Sequence, residues 1–256
     1  MPSTVLKVEL EEIQALRALF LQETNFQVRY NASHERGWTD SYLLIIDDLR
    51  VGYGSIKGQE IKDRDTVFEY FVIPQFRKRA SELFQQLLAA SGAQYIECQS
   101  NDLQLSSMLY EFSPTISADV LLFEDHAVTD RSVPGALFRP WRNDDQVFEH
   151  RTEPAGDYVL ECNGEVVATG GFLLHYNKPF ADLYMEVRED CRRRGFGSLL
   201  LQELKKQCYL AGRVPAARCN IHNVASRATL ISAGLRVCGF MLMGKVEPKR
   251  SESLIS

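Results

Sequence analysis

A chain of 256 residues with 45% hydrophobic and 25% charged side chains has the composition of an ordinary globular protein, with the length for one large domain or two small ones. Its formal net charge of -5 argues against a general nucleic-acid binder, which needs a dominant basic surface, and no run approaches the ~20 apolar residues that span a bilayer. No nucleic-acid or membrane partner is therefore expected. The first residues lack the apolar core of a secretory leader. Cys98, Cys162, Cys191, Cys208, Cys219 and Cys238 are scattered without metal-ligand spacing, which fits reduced thiols in a cytoplasmic protein and no bound metal.

In chain order, the first pattern is a pair of strands in "DSYLLIIDDLRVGYGSIKG", turning at Asp47-Asp48. Before it, "RYNASHERGWTD", with His34, Arg36 and Trp38, reads as an irregular loop that either lines a cleft or packs. Next, "TVFEYFVIPQFRKRASELFQQLLAASG" gives a β-rich run ending at Val72, a turn, and a helix with Leu83, Phe84, Leu87 and Leu88 that stops at Gly92. "QYIECQS" follows as a further strand. The polar stretch 125–136, containing Pro134-Gly135, marks a boundary, with a linker over 126–136.

The second half repeats the first. "LFRPWRNDD" reads as a strand running into a helix start, and "GDYVLECNGEVVATGGFLLHY" as a hairpin turning at Asn163-Gly164. "ADLYMEVREDCRRRGFGSLLLQELKKQCYLAG" repeats the strand, turn and helix. A shift of 115 carries Val72 onto Val187 and Arg77 and Arg79 onto Arg192 and Arg194. Downstream a shift of 120 carries Gly92 onto Gly212, Ser106 onto Ser226 and Tyr110 onto Leu230. Two related α/β domains are expected, over 1–125 and 137–256, with a solvated tail from residue 247.

The turn 192–198 carries Arg192, Arg193 and Arg194, then Gly195, Phe196, Gly197 and Ser198. A strand that turns through glycine into a helix collects backbone N–H groups at the positive end of the helix dipole, and guanidinium groups add charge for an anion. The short motif by itself is equally a basic, solvated helix start. It matches neither a nucleotide P-loop nor a dinucleotide fingerprint.

Set between a strand ending at Val187 and a later "NVASRATLISAGL", this turn resembles the GCN5-related N-acetyltransferase (GNAT) superfamily over residues 137–246. The resemblance implies an α/β fold, a mixed sheet with flanking helices, in two tandem GNAT-like domains. It implies acetyl-CoA as co-substrate, its pyrophosphate on the turn 192–198, its pantetheine arm along the strand 183–187, and Asn223 and Ser226 on the later helix beside it. The first half resembles the same fold with the site erased: Ala80 replaces Gly195 and Glu82 replaces Gly197, so one acetyl-CoA per chain is expected. That half would then be scaffold, substrate wall or homodimer surface.

The resemblance further implies direct acetyl transfer to the amine of a small molecule or peptide, with the N–H groups of Met185 and Val187 holding the oxyanion. Glu186, Tyr184 and Asp182 are the candidate general bases, and His175 and His222 are further polar candidates. Leu230 stands where many members have a tyrosine acid; Tyr110 holds the first-half place and is expected to be structural. A non-catalytic acyl-CoA-binding module and a longer-chain acyltransferase are the alternatives.

Overall fold

The computed structural model describes residues 2–23, 27 and 30–247, and the expected tail beyond Glu247 lies outside them. Two compact units form, Met1–Asp119 with Phe240–Ser256, and Val120–Gly239. The linear boundary expected at 126–136 is therefore corrected. Strand β6 (Ile116–Asp125) starts in the first unit and ends in the second, where Val120–Glu124 pair with β11 (Val214–Asn220). Strand β12 (Leu235–Lys245) makes the reverse passage and ends paired with β5 (Tyr95–Gln99).

Nor is 126–136 a free linker. Helix α5 (Phe196–Leu210) straps it down: Lys205 Nζ donates to the carbonyls of Ala127 at 2.7 Å and Ala233 at 3.0 Å, and pairs with Asp125 at 2.5 Å. Gln202 Oε1 accepts from Thr129 Oγ1 at 2.8 Å and from the Arg131 amide at 2.7 Å.

The first unit contains β1 (Ser3–Val8), α1 (Leu10–Glu23), α2 (Tyr30–Glu35), β2 (Thr39–Ile46), β3 (Leu49–Lys57), β4 (Thr66–Val72), α3 (Ala80–Ser91), β5 and α4 (Leu103–Phe112), with strand order β1-β2-β3-β4-β5-β12. The β2–β3 turn forms as expected, Asp47 and Asp48 both taking positive φ. Helix α1 brings Ile13, Leu16 and Phe20 onto Leu43, Tyr53, Phe68 and Phe71, the spacing of one helical face. Helices α3 and α4 fill a separate core with Leu83, Phe84, Leu87, Leu105 and Leu109.

The stretch read as an irregular loop contains helix α2 instead. Its His34 is buried against Glu69 because that carboxylate, on β4, is itself shut off from water and needs partners; Arg36 lies outside, 4.8 Å over the Trp38 ring.

The second unit contains β7 (Ala136–Pro140), β8 (Tyr158–Cys162), β9 (Glu165–Leu173), β10 (Phe180–Val187), α5, β11 and α6 (Val224–Ser232), in strand order β6-β11-β10-β9-β8-β7. Phe196, Leu200, Leu201 and Leu204 of α5 and Leu230 of α6 lie in one core with Leu160, Ala168 and Leu183 of the sheet. Each such side chain contributes about 1.5–3 kcal/mol relative to exposure.

The helix expected to follow "LFRPW" is absent; 141–157 carries no helix. Asp145, which could have capped one, is drawn back onto Arg139 by hydrogen bonds of 2.6 and 2.8 Å.

Candidate functional site

Both units contain one parallel strand pair, and both pairs part early. The β4–β5 ladder holds Thr66↔Tyr95 and Val67↔Ile96 only, and the β10–β11 ladder ends at Asp182↔Ala216 while β10 runs on to Val187. Beyond Asp182 one edge of β10 therefore has no strand partner among the described residues. The β9–β10 register runs without a shift from Asp182↔Leu173 to Val187↔Ala168, so no bulge exchanges the faces. The Arg188 amide continues this ladder by donating to the Val167 carbonyl at 2.9 Å. Residues of that parity bond to β9, which leaves the Met185 peptide group and the Val187 amide facing the open edge.

The side chains then fall on two faces. Met185 and Val187 pack into the core beneath α5, whereas Asp182, Tyr184 and Glu186 stand on the opposite face.

The turn after β10 follows from two positive φ values. Arg193 has φ 62° and Gly195 has φ 87°, a conformation cheap for glycine, and Gly195 is the N-cap of α5 without a side-chain cap. The first helical bond runs from the Leu199 amide to the Gly195 carbonyl at 3.1 Å. The amides of Phe196, Gly197 and Ser198 are left outside the helix ladder, at its positive end.

Gly197 serves a second purpose. A Cβ there would lie 3.0 Å from Thr229 Cγ2, 3.3 Å from Met185 Cε and 3.4 Å from Val187 Cγ2, so its hydrogen lets α5, α6 and β10 meet. The Phe196 ring is core, and only its amide belongs to the turn.

The three arginines are exposed but not equivalent. Arg192 Nε donates to the Val187 carbonyl at 3.1 Å, and Arg194 stacks 5.4 Å from the Phe196 ring centre. Arg193 has neither tie.

The first unit shows what erases such a site. Arg77 Nε donates to the Val72 carbonyl at 3.1 Å, repeating the Arg192 bond, so the shift of 115 holds in three dimensions. Ala80, at the Gly195 place, has φ -57°, and a 3-10 turn over Pro74–Arg79 runs straight into α3. No helix start is exposed there. Glu82 supplies an internal anion, accepting from Arg79 Nε at 3.0 Å and Nη2 at 2.6 Å. The edge amide of Val72 is also consumed, donating to Gln104 Oε1 at 3.0 Å.

The caps correct the helix alignment. Asp102 caps α4 by accepting from the Leu105 amide, and Asn223 caps α6 by accepting from the Ser226 amide at 3.0 Å. The shift there is 121, one residue more than in the preceding strands. Gln104 thus matches Ala225, whose methyl cannot close the Val187 edge. Leu230, 5% exposed, matches the buried Leu109. Tyr110, expected to be structural, is 70% exposed because it falls one position beyond that core face.

Among the candidate bases, Glu186 is committed. Its buried carboxylate accepts from the amides of Arg151, Thr152 and Glu153 and from Thr152 Oγ1, all between 3.1 and 3.2 Å. Burial pushes its pKa up, but these donors outweigh burial and hold it below the usual carboxylate range. Such a group anchors the 151–153 segment and is a poor proton acceptor.

The Tyr184 phenol is raised by burial, and then by Asp157 and Glu153, which keeps it protonated. Asp182 bonds His175 Nε2 at 3.1 Å and lies 4.0 Å from Arg218 Nε. His222 is exposed, its amide donating to Asn220 Oδ1, and Ser226 is half-buried.

Residues 121–230 match the sequence model of the acetyltransferase (GNAT) family. The match lies within the second unit. A GNAT-family acetyltransferase of Colwellia psychrerythraea superposes with TM-score 0.75 at 13% identity, covering 95% of this chain and 100% of the other. A tandem GNAT protein from the clavulanic acid biosynthesis pathway gives TM-score 0.59 at 10% identity, covering 97% and 100%. At these identities the likeness is one of fold, and it extends over both GNAT-like halves. No curated protein matches the sequence significantly. Among the described residues no helix is long and apolar enough to cross a membrane.

Proposed function

We propose that the protein is an N-acetyltransferase that moves the acetyl group of acetyl-CoA directly to a primary amine of a small molecule or peptide, using one site per chain in the second unit. The observation that carries this reading is the open β10 edge beside an uncapped α5 start. The two features give a place for an extended amide-bearing arm and an anion. The amides of Phe196, Gly197 and Ser198, with Arg193 beside them, suit pyrophosphate oxygens, and the Met185 peptide group with the Val187 amide suits the pantetheine arm and the thioester carbonyl. Ala225 and the Asn223 cap leave room along the same edge.

The acceptor must lose a proton before it attacks. An alkyl ammonium has a pKa of about 10.4, so roughly one molecule in several thousand is neutral at pH 7. Buried Leu230 supplies no acid for the departing sulfur, but a thiol of pKa about 8.5 leaves tolerably without one.

The test is thiol release from acetyl-CoA over a panel of primary amines, with propionyl- and longer acyl-CoA alongside. Amine-dependent release fastest with acetyl-CoA is expected. Tight CoA binding with no release from any amine would favour a non-catalytic binding module, and preference for a long chain would favour a different acyltransferase.

A further inference from the structure

We infer that His175 is the general base of the proposed acetyl transfer and that Asp182 positions it. The inference rests on the acetyltransferase reading of the second unit. The His175–Asp182 contact involves neither the turn nor the α5 start that carry that reading.

Asp182 is the last β10 residue paired with β11, so it marks the point where the strands part. It stands on the β10 face opposite α5, beside the half-exposed Tyr184. The β9–β10 connection folds His175 back onto it, placing His175 Nε2 3.1 Å from Asp182 Oδ2. The neighbouring Tyr176 ring, 2% exposed and 5.1 Å from the imidazole, fixes that connection. The His175 side chain keeps 16% exposure and that of Asp182 keeps 11%, so the pair is sheltered and still reachable.

A carboxylate on Nε2 selects the tautomer with the proton on Nε2, and Nδ1, which has no partner among the described residues, keeps its lone pair. Of the other candidates on this face, Glu186 is saturated by amides and Tyr184 holds its proton. Other charged groups on this face include Arg218 on β11, 4.0 Å from Asp182, Glu153 and Asp157 from the 141–157 segment, and Arg192, 3.8 Å from Glu186.

In the step this assigns, His175 Nδ1 takes one proton from R–NH3+. The amine lone pair then forms the C–N bond at the thioester carbon, the C–S bond breaks with its electron pair going to sulfur, and the second nitrogen proton passes to the thiolate. His175 returns its proton to water, so ammonium and thioester become amide, thiol and one released proton.

Two measurements test this. In the protein without ligand, imidazole 15N shifts should show His175 protonated at Nε2 and bare at Nδ1, with that preference weakened in Asp182→Asn. A bare Nε2 in the native chain would overturn the assignment. In the amine assay, His175→Gln should lower kcat/KM by about 10²–10⁴-fold and remove its acid limb, CoA affinity and melting temperature staying near native. Asp182→Asn should lower the rate less and displace the limb.

A His175→Gln enzyme that keeps the native limb, or a Glu153→Gln enzyme that alone loses it, would overturn the base assignment and leave the acetyltransferase reading standing. No release by the native protein from any amine would overturn both, even with the 15N shifts as stated.

Discussion

Gly197→Glu is expected to reduce CoA affinity at least 100-fold in a calorimetric titration while the protein still melts cooperatively. The substitution copies Glu82 of the first unit. A Cβ at 197 already lies 3.0 Å from Thr229 Cγ2, so the longer side chain must leave that wedge and place its carboxylate among the free amides of the α5 start. There it occupies the donors a pyrophosphate would use and repels it. Overpacking against Thr229 and Met185 costs about 1–3 kcal/mol, and an acidic group in the first helical turn returns about 0.3–1 kcal/mol. Unchanged CoA affinity in this variant would remove the turn from the site.

The largest loss of stability is expected from Glu69→Ala, about 3–5 kcal/mol in urea denaturation. Glu69 has no exposed surface, and its carboxylate accepts from Arg17 Nε at 2.9 Å, Arg17 Nη2 at 2.9 Å and Tyr53 OH at 3.0 Å, and meets His34 Nε2 at 3.1 Å. Removing it takes the paired carboxylate from a buried Arg17 guanidinium, which keeps its bond to Asn31 Oδ1.

The same group sets an acid limb of stability. Burial raises the Glu69 pKa, but Arg17 and then His34 overcome it and hold the carboxyl at about 2, below its ordinary 4.5. A depressed folded-state value means the contribution is complete above about pH 4.5 and lost as pH falls toward 2. The urea midpoint of the native chain should therefore fall across that window, and that of Glu69→Ala should fall less. Equal slopes would contradict the linkage.

Local patterns and the internal repeat made much of this structure legible. The strand ending at Val187, the Asn163-Gly164 turn and the glycine-opened helix follow from residues adjacent in sequence, and the repeat showed that Ala80 and Glu82 stand where Gly195 and Gly197 do. The rest depends on contacts that no local pattern specifies. Nothing in the alternation of β6 or β12 says that each passes between units, because a strand's pattern encodes which face is buried and not which neighbour it pairs with.

The bond of Asp145 to Arg139, which replaces an expected helix, and the Glu186 carboxylate spent on the 151–153 amides, are likewise tertiary. So is the His175–Asp182 pair, which the β9–β10 connection brings together. The extra residue before α6 is legible in the caps, since Asp102 and Asn223 stand 121 apart where Gly92 and Gly212 stand 120 apart.

The central claim is that acyl-CoA binds once per chain, at the β10 edge that Ala225 leaves open and Gln104 closes in the first unit. Its most direct test is calorimetric titration of CoA into the native protein and into Ala225→Gln, which restores the plug at an exposed helical position. The native chain should bind one equivalent, and Ala225→Gln should bind about 10-fold more weakly, the equivalent of one hydrogen bond lost to competition, at an unchanged melting temperature. No binding, two equivalents, or native affinity in Ala225→Gln would contradict the account.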